Sequence, residues 1–194
     1  NKDVPVIIIT GHANIEMATD FAVTLDGGSA VNASDLVTIS NSTSDTIDVG
    51  GNAITISQTA DLSGAAISNY GALSVSASQT LTATAAQVTG KTVNGAGDLT
   101  ITALAADSDL TNVNPDGGVT ANVAADRDVT TNTALGNVDT FAVATGITLT
   151  ATAAQVTGDT ATGAGTLVIT ELAAVTVATH VNPDGGVTAN VAAD

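Results

Sequence analysis

The chain has 194 residues, of which 44% are apolar and only 2% aromatic, and it carries a formal net charge of −16. Its reliably cationic side chains are Lys2, Lys91 and Arg127, so the basic footprint with which a nucleic-acid binder displaces counterions is missing, and phosphate or anionic lipid would be repelled. Without cysteine there is neither a disulfide scaffold nor a thiolate metal site.

Low aromatic content and high charge favour disorder; a mean hydropathy of +0.35 and alternating runs oppose it. With Phe21, Tyr70 and Phe141 as the aromatic residues, the core must come from Val, Ile, Leu and Ala. Such side chains suit a thin, layered interior. The Thr, Ser, Asn, Asp and Gly content fits short strands alternating with turns. Glu16 and Glu171 are the only glutamates, and Asp is a turn former, so the acidity is expected in turns. No apolar run reaches the ~20 residues that span a bilayer, which speaks against membrane insertion. No signal peptide is visible, and Asn1 is not an initiator, so a processed or partial chain is expected.

Taken in chain order, residues 1–20 read as a separate N-terminal strand and cap. The segment Val4 to Ala18, VPVIIITGHANIEMA, resembles the fourth strand and following helix of response-regulator receiver domains, with Thr10 at the switch hydroxyl. The phospho-acceptor Asp strand and the Lys strand of that family are missing, so phosphorelay does not carry over. Residues 21–194 read as one repetitive solenoid. Strand cores follow turn signals at Ala53 to Ser57, Ala72 to Ser76, Thr80 to Thr84, Asp98 to Thr102 and Thr166 to Thr170. In Thr80 to Thr84 and in Leu99 to Thr102 apolar and polar residues alternate, which puts one face in a core and one in solvent. The Ala-Ala pairs at 85–86 and 153–154 are expected at corners too tight for bulky side chains.

Leu81 to Asp126 recurs without a gap as Leu149 to Asp194, an offset of 68 residues, with about three quarters of the positions identical and Val113 to Asp126 unchanged in Val181 to Asp194. A weaker echo lies at Asp26 to Asp35. Within this runs a finer step of 18 to 20 residues: Leu36 to Ile54 to Leu73, Leu81 to Leu99 to Val119, and Leu149 to Leu167 to Val187. Leu73 to Leu81 and Val119 to Leu149 break it. A period near 20 is that of repeat architectures, in which each coil buries its apolar face only by stacking on the next. The expected fold is an all-β parallel β-solenoid (β-helix).

The shared pattern, TLTATAAQVTG, a G-A-G turn and an LTIT or LVIT strand, resembles the Thr/Ala/Gly-rich β-strand-repeat arrays of large bacterial surface proteins of adhesin and S-layer type. The resemblance covers about two thirds of the chain. It implies a secreted or cell-surface location and attachment to surface or matrix, and it implies no mechanism.

The acidic turns raise the question of calcium, a hard cation that takes several carboxylate and carbonyl oxygens. Asp116 and Asp184 stand in Asn-Pro-Asp-Gly-Gly, a strong turn signal by itself. Asp98 follows a G-A-G resembling the Gly-Asp nonapeptide of calcium-binding β-rolls but lacks one residue of it. Asp107, Asp109, Asp126 and Asp128 form the densest acidic stretch. The bland reading is turn residues and a solvated face. Outward Thr-x-Thr pairs (Thr82/Thr84, Thr100/Thr102, Thr150/Thr152) suggest an ice-binding face, with ordinary β-propensity as the alternative. Catalysis has the least behind it: His12 and His180 are far apart, and no Ser–His–Asp grouping is evident. A solenoid end exposes unpaired strands, and the last repeat carries no evident polar cap. Head-to-tail self-association is therefore expected, with Val6 to Ile9 as the matching end. The expected role is structural: a filament, S-layer or adhesin component, with a calcium-dependent or ice-binding module as the alternative.

Overall fold

The protein, seen as a computed structural model, is described over residues 23–24, 31–42, 46–172 and 183–191. The N-terminal segment 1–20, with Thr10, His12 and Val6 to Ile9, lies outside the described residues, as does His180. The chain runs β1 (Val23–Thr24), β2 (Val31–Asn32), α1 (Ala33–Ser42), β3 (Ile47–Asp48), β4 (Ile54–Ile56), β5 (Ala60–Asp61), β6 (Ile67–Ser68), β7 (Leu73–Val75) and β8 (Thr80–Ala83). It continues through α2 (Ala85–Val88), β9 (Val93–Asn94), β10 (Asp98–Ile101), β11 (Gly118–Val123), β12 (Arg127–Asp128), β13 (Thr140–Val143), β14 (Thr148–Thr152), α3 (Ala153–Val156), β15 (Thr160–Thr162), β16 (Thr166–Leu172) and β17 (Val187–Val191).

Every strand pairing among the described residues is parallel, and the ladders run β1-β3-β6, β2-β4-β7-β9, β5-β8-β10-β11-β13-β15 and β12-β14-β16-β17. The chain therefore winds as a parallel β-solenoid that visits three sides in a fixed cyclic order. The first side starts as β1-β3-β6. It is then taken over by α2 and by residues 102–112, and resumes as β12-β14-β16-β17. The second side is β2-β4-β7-β9, prolonged by the bridge Val93 to Val113. The third side is the six-stranded ladder. Strands of two to seven residues suffice because each is held by its neighbours in the stack rather than by its own length.

The registers give the coil. Ile54 pairs with Leu73, Leu81 with Leu99, Leu99 with Val119, Leu149 with Leu167 and Leu167 with Val187, as the sequence steps predict. The Leu36 step is corrected: Leu36 is a buried residue of α1, and Val31 is the partner of Ile54. The two breaks in rhythm also resolve. Leu73 and Leu81 sit on different sides of one coil, and the missing layer above β11 is β13, with Ala121 opposite Phe141.

The 68-residue duplication is out of phase with the coil. Leu73 and Leu81 lie on the second and third sides; their equivalents Phe141 and Leu149 lie on the third and first. Each copy advances three coils and one side.

Inward side chains fill the interior in files. Ile54, Leu73, Val93 and Val113 form one, all at most 1% exposed. On the third side the file reads Ala83, Ile101, Ala121, Phe141, Ala161. Phe141 lies between two alanines, the large–small alternation that close packing demands when layers are a strand spacing apart. Corners require the opposite, no side chain at all. Gly95 and Gly163 have φ of +104° and +95°, and a Cβ on either would run into the backbone of Val75 or Val143 in the coil below. The G-A-G motif is thus a stacking corner.

The Thr-Ala-Ala-Gln motif is also explained. It forms one-turn helices at corners, each with a capping box: the Thr84 hydroxyl accepts from the Gln87 N–H, and the Gln87 side chain accepts from the Thr84 N–H. Thr152 and Gln155 repeat this in α3. Each glutamine then donates its Nε2 to two carbonyls of the preceding coil, Gln87 to Leu62 and Ala65, and Gln155 to Val129 and Asn132. The Ala-Ala pairs open these helices, with Ala85 and Ala153 buried against the coil.

Candidate functional site

The acidic residues do a local job. Asp48 Oδ1 accepts from Gly50 N–H at 2.8 Å, Asp61 Oδ1 from Ser63 N–H at 2.8 Å, Asp109 Oδ1 from Thr111 N–H at 3.1 Å and Asp128 Oδ1 from Thr130 N–H at 3.0 Å. These are Asx turns, in which a short carboxylate replaces a missing backbone acceptor two residues on. The hydrogen bonds from the Thr111 and Thr130 side chains, then from their backbone, hold the Asp109 and Asp128 carboxyls below the usual carboxylate range. The signal was in the sequence: Asp-x-Ser/Thr or Asp-x-Gly at the corners.

The remaining candidates for calcium are spread over several corners. Asp126 Oδ1 accepts the Thr148 N–H of the next coil at 2.8 Å. Asp98 is exposed at the start of β10. Asp116 and Asp184 are exposed in the two Pro-Asp-Gly-Gly turns, where their backbone N–H groups donate to Gly95 and Gly163 at 2.7 Å each. Asp107 is exposed in a turn. Among the described residues, no three or more His, Asp or Glu side chains converge so as to hold a metal ion.

One carboxylate pair escaped sequence reading because its members are 20 residues apart. Asp139 and Asp159 stand at the same corner in adjacent coils, joined by Thr160 N–H donating to Asp139 O at 2.8 Å. Asp139 Oδ2 accepts the Val119 N–H at 2.7 Å. Burial, then the charge of Asp139, push the Asp159 carboxyl up to about 6. The first copy has Lys91 at this place, and there Nζ lies 4.5 Å from the Tyr70 ring centroid and donates to Tyr70 O at 3.0 Å. Arg127 likewise serves carbonyls, with Nε donating to Leu104 O at 2.8 Å.

Two features reach outward. On the third side Thr82, Thr100, Thr120, Thr140 and Thr160 stand in register, one per coil, all half-buried by their neighbours. The next file reads Asn122, Ala142, Thr162. The expected Thr-x-Thr pairs are only partly available: Thr84 and Thr152 are helix caps, and Thr152 is buried. The second feature is β17, the last strand of the first side among the described residues. There Val187 is 44% exposed, whereas Val119, in the same sequence one repeat earlier, is 2% exposed. The difference is the layer above: β13 covers β11, while among the described residues β17 is the last strand of its ladder.

Among the described residues no helix is long and apolar enough to cross a membrane. No protein-family model, curated protein or solved structure matches the chain.

Proposed function

We propose that this is a structural protein, a subunit or repeat region of an extracellular surface filament, S-layer or adhesin, in which the solenoid serves as a length of rod. The observation that supports this reading is that, among the described residues, short parallel strands stack coil upon coil in register, so that length comes from repetition. A head-to-tail contact between such coils that does not close produces filaments. The described acidic corners are consistent with it, because their carboxylates brace turns. In this reading the chain does no covalent chemistry, and its partners are further copies of itself and the surface or matrix it is attached to.

The test is negative-stain electron microscopy of the purified protein, with and without calcium. Uniform filaments in both conditions are expected. Isolated short rods in both would overturn the reading.

The threonine file supports a second reading, an ice-binding face. Five hydroxyls repeat at about the 4.8 Å strand spacing, a periodic array that could order water. The adjacent file is broken by Asn122 and Ala142, which places this reading second. Thermal hysteresis from the monomer, lost in Thr120→Leu, is its expected signature; freezing without hysteresis would remove it.

A further inference from the structure

Asparagine followed by glycine is the residue pair in which a main-chain nitrogen most readily attacks a side-chain amide, because glycine has no Cβ to obstruct the approach. The chain has this pair once, at Asn94-Gly95. Asn94 is the last residue of β9, pairs with Ser74 and is exposed on the outer face of the second side. In the second copy the pair reads Thr162-Gly163, and a threonine has no amide to lose.

The main chain around this pair is committed between layers. Val93 N–H donates to Asn112 O at 3.0 Å, Asn114 N–H to Val93 O at 2.8 Å, Gly97 N–H to Val75 O at 3.1 Å and Asp116 N–H to Gly95 O at 2.7 Å. The Gly95 N–H, by contrast, donates to no acceptor among the described residues. One layer up, Asp116-Gly117 offers the same glycine, but there the Gly117 N–H is held by Gly97 O at 3.1 Å. The corner itself has no slack. Gly95 has φ of +104°, and a Cβ on it would come within 2.2 Å of Val75 O.

We propose that Asn94-Gly95 is a site of spontaneous deamidation in the folded protein, and that its isoaspartyl product releases this corner from the coils below and above. The Gly95 nitrogen attacks Asn94 Cγ. An N–Cγ bond forms, the Cγ–Nδ2 bond breaks, and ammonia leaves with the proton of the Gly95 N–H. Water then opens the five-membered imide at one of its two carbonyls and is the only other reactant. Opening at the main-chain side routes the chain through Cβ and Cγ and gives isoaspartate; opening at the other side gives aspartate with the backbone unchanged. Isoaspartate inserts one more main-chain atom between Val93 and Gly95, where the stack has no room for it. The pairing of residue 94 with Ser74, the contact of Gly95 on Val75 below and its hydrogen bond from Asp116 above cannot then all be kept. Because each coil is held by its neighbours, the lesion loosens the layers on both sides of it.

The test is to hold the folded 194-residue chain at mildly alkaline pH, beside the same chain in urea, and to follow Asn94 by tandem mass spectrometry of the tryptic fragment 92–127. Asn94 is expected to convert in the folded chain ahead of Asn112, Asn114 and Asn122, at a rate close to that in urea. Asp116-Gly117 is expected to stay unisomerised, and Asn94→Thr, the residue of the second copy, to stay unmodified at this position. An Asn94 that converts in urea but is preserved in the folded chain would overturn the site, because the corner would then be shielding it. In the converted fraction, hydrogen exchange at Gly97 and Asp116 is expected to quicken, the sign of local opening. In Asn94→Asp, which adds the charge without the extra main-chain atom, it is expected to match the parent chain. Aspartate as the sole product, unchanged exchange in the converted fraction, or equal quickening in Asn94→Asp would overturn the released corner.

Discussion

Asp159 occupies the place that Lys91 holds in the first copy, and the exchange reverses the local electrostatics. Lys91 is served by Tyr70, ring and carbonyl; Asp159 meets burial and the charge of Asp139. Its folded-state pKa, about 6, is above the ~3.9 of a free Asp. A group raised in this way favours the fold while protonated, and that contribution is lost as pH rises from about 4 through about 6. Asp109 and Asp128 act in the opposite sense, since their lowered values favour the fold above the ordinary carboxylate range. Asp159→Asn is expected to raise the melting temperature at pH 7, to leave it nearly unchanged at pH 4, and to flatten the profile between. Thermal melts across that range check it; equal melting of both proteins at pH 7 would contradict it. The sequence shows Lys91 aligned with Asp159, but it does not show that Asp139 is the neighbour, because that depends on the 20-residue register. Local roles were easier to read. Asp48, Asp61, Asp109 and Asp128 each precede their partner by two residues, so turn chemistry alone accounts for them.

At the scale of elements, the glutamine of Thr-Ala-Ala-Gln ties a corner to the coil beneath it. Gln155 closes its own capping box and donates to Val129 and Asn132 in the preceding coil. Gln155→Ala removes these bonds together and leaves carbonyls to find water. A loss of about 1–3 kcal/mol is expected from urea unfolding, with Gln155→Glu also destabilising, because a carboxylate cannot donate to two carbonyls. An unchanged unfolding midpoint in both variants would show that the clamp contributes nothing. The strands were legible in the sequence because period-two alternation survives even in short runs such as Leu99 to Ile101. The helices were not. Two are single turns whose stability comes from the capping box and the coil below rather than from helical periodicity, and α1 lacks a clear amphipathic pattern. The G-A-G motif was legible as a turn. Its true constraint is the backbone of Val75 or Val143 beneath it, which only the stack reveals.

At the scale of the molecule, the coil length was readable wherever the chain returned to the same side, as from Leu81 to Leu99 to Val119. It was unreadable where the chain crossed between sides, as from Leu73 to Leu81, because sequence distance does not distinguish a layer from a corner. The large files of Ile, Leu and Val follow from the composition. The pairing of Phe141 with Ala121 and Ala161 follows only from register.

The mismatch between the 68-residue duplication and the coil has one more consequence. Like the thread on a bolt, equivalent patches advance along the rod while winding around it, a third of a turn for each ~16 Å of height at ~4.8 Å per layer. After three copies the thread would come back to its starting flank. A rod lengthened in this way has no back: a neighbour approaching from any flank meets the same chemistry at some height. Duplication also need not begin or end at a coil boundary to be tolerated, since the three flanks are interchangeable hosts for the same segment.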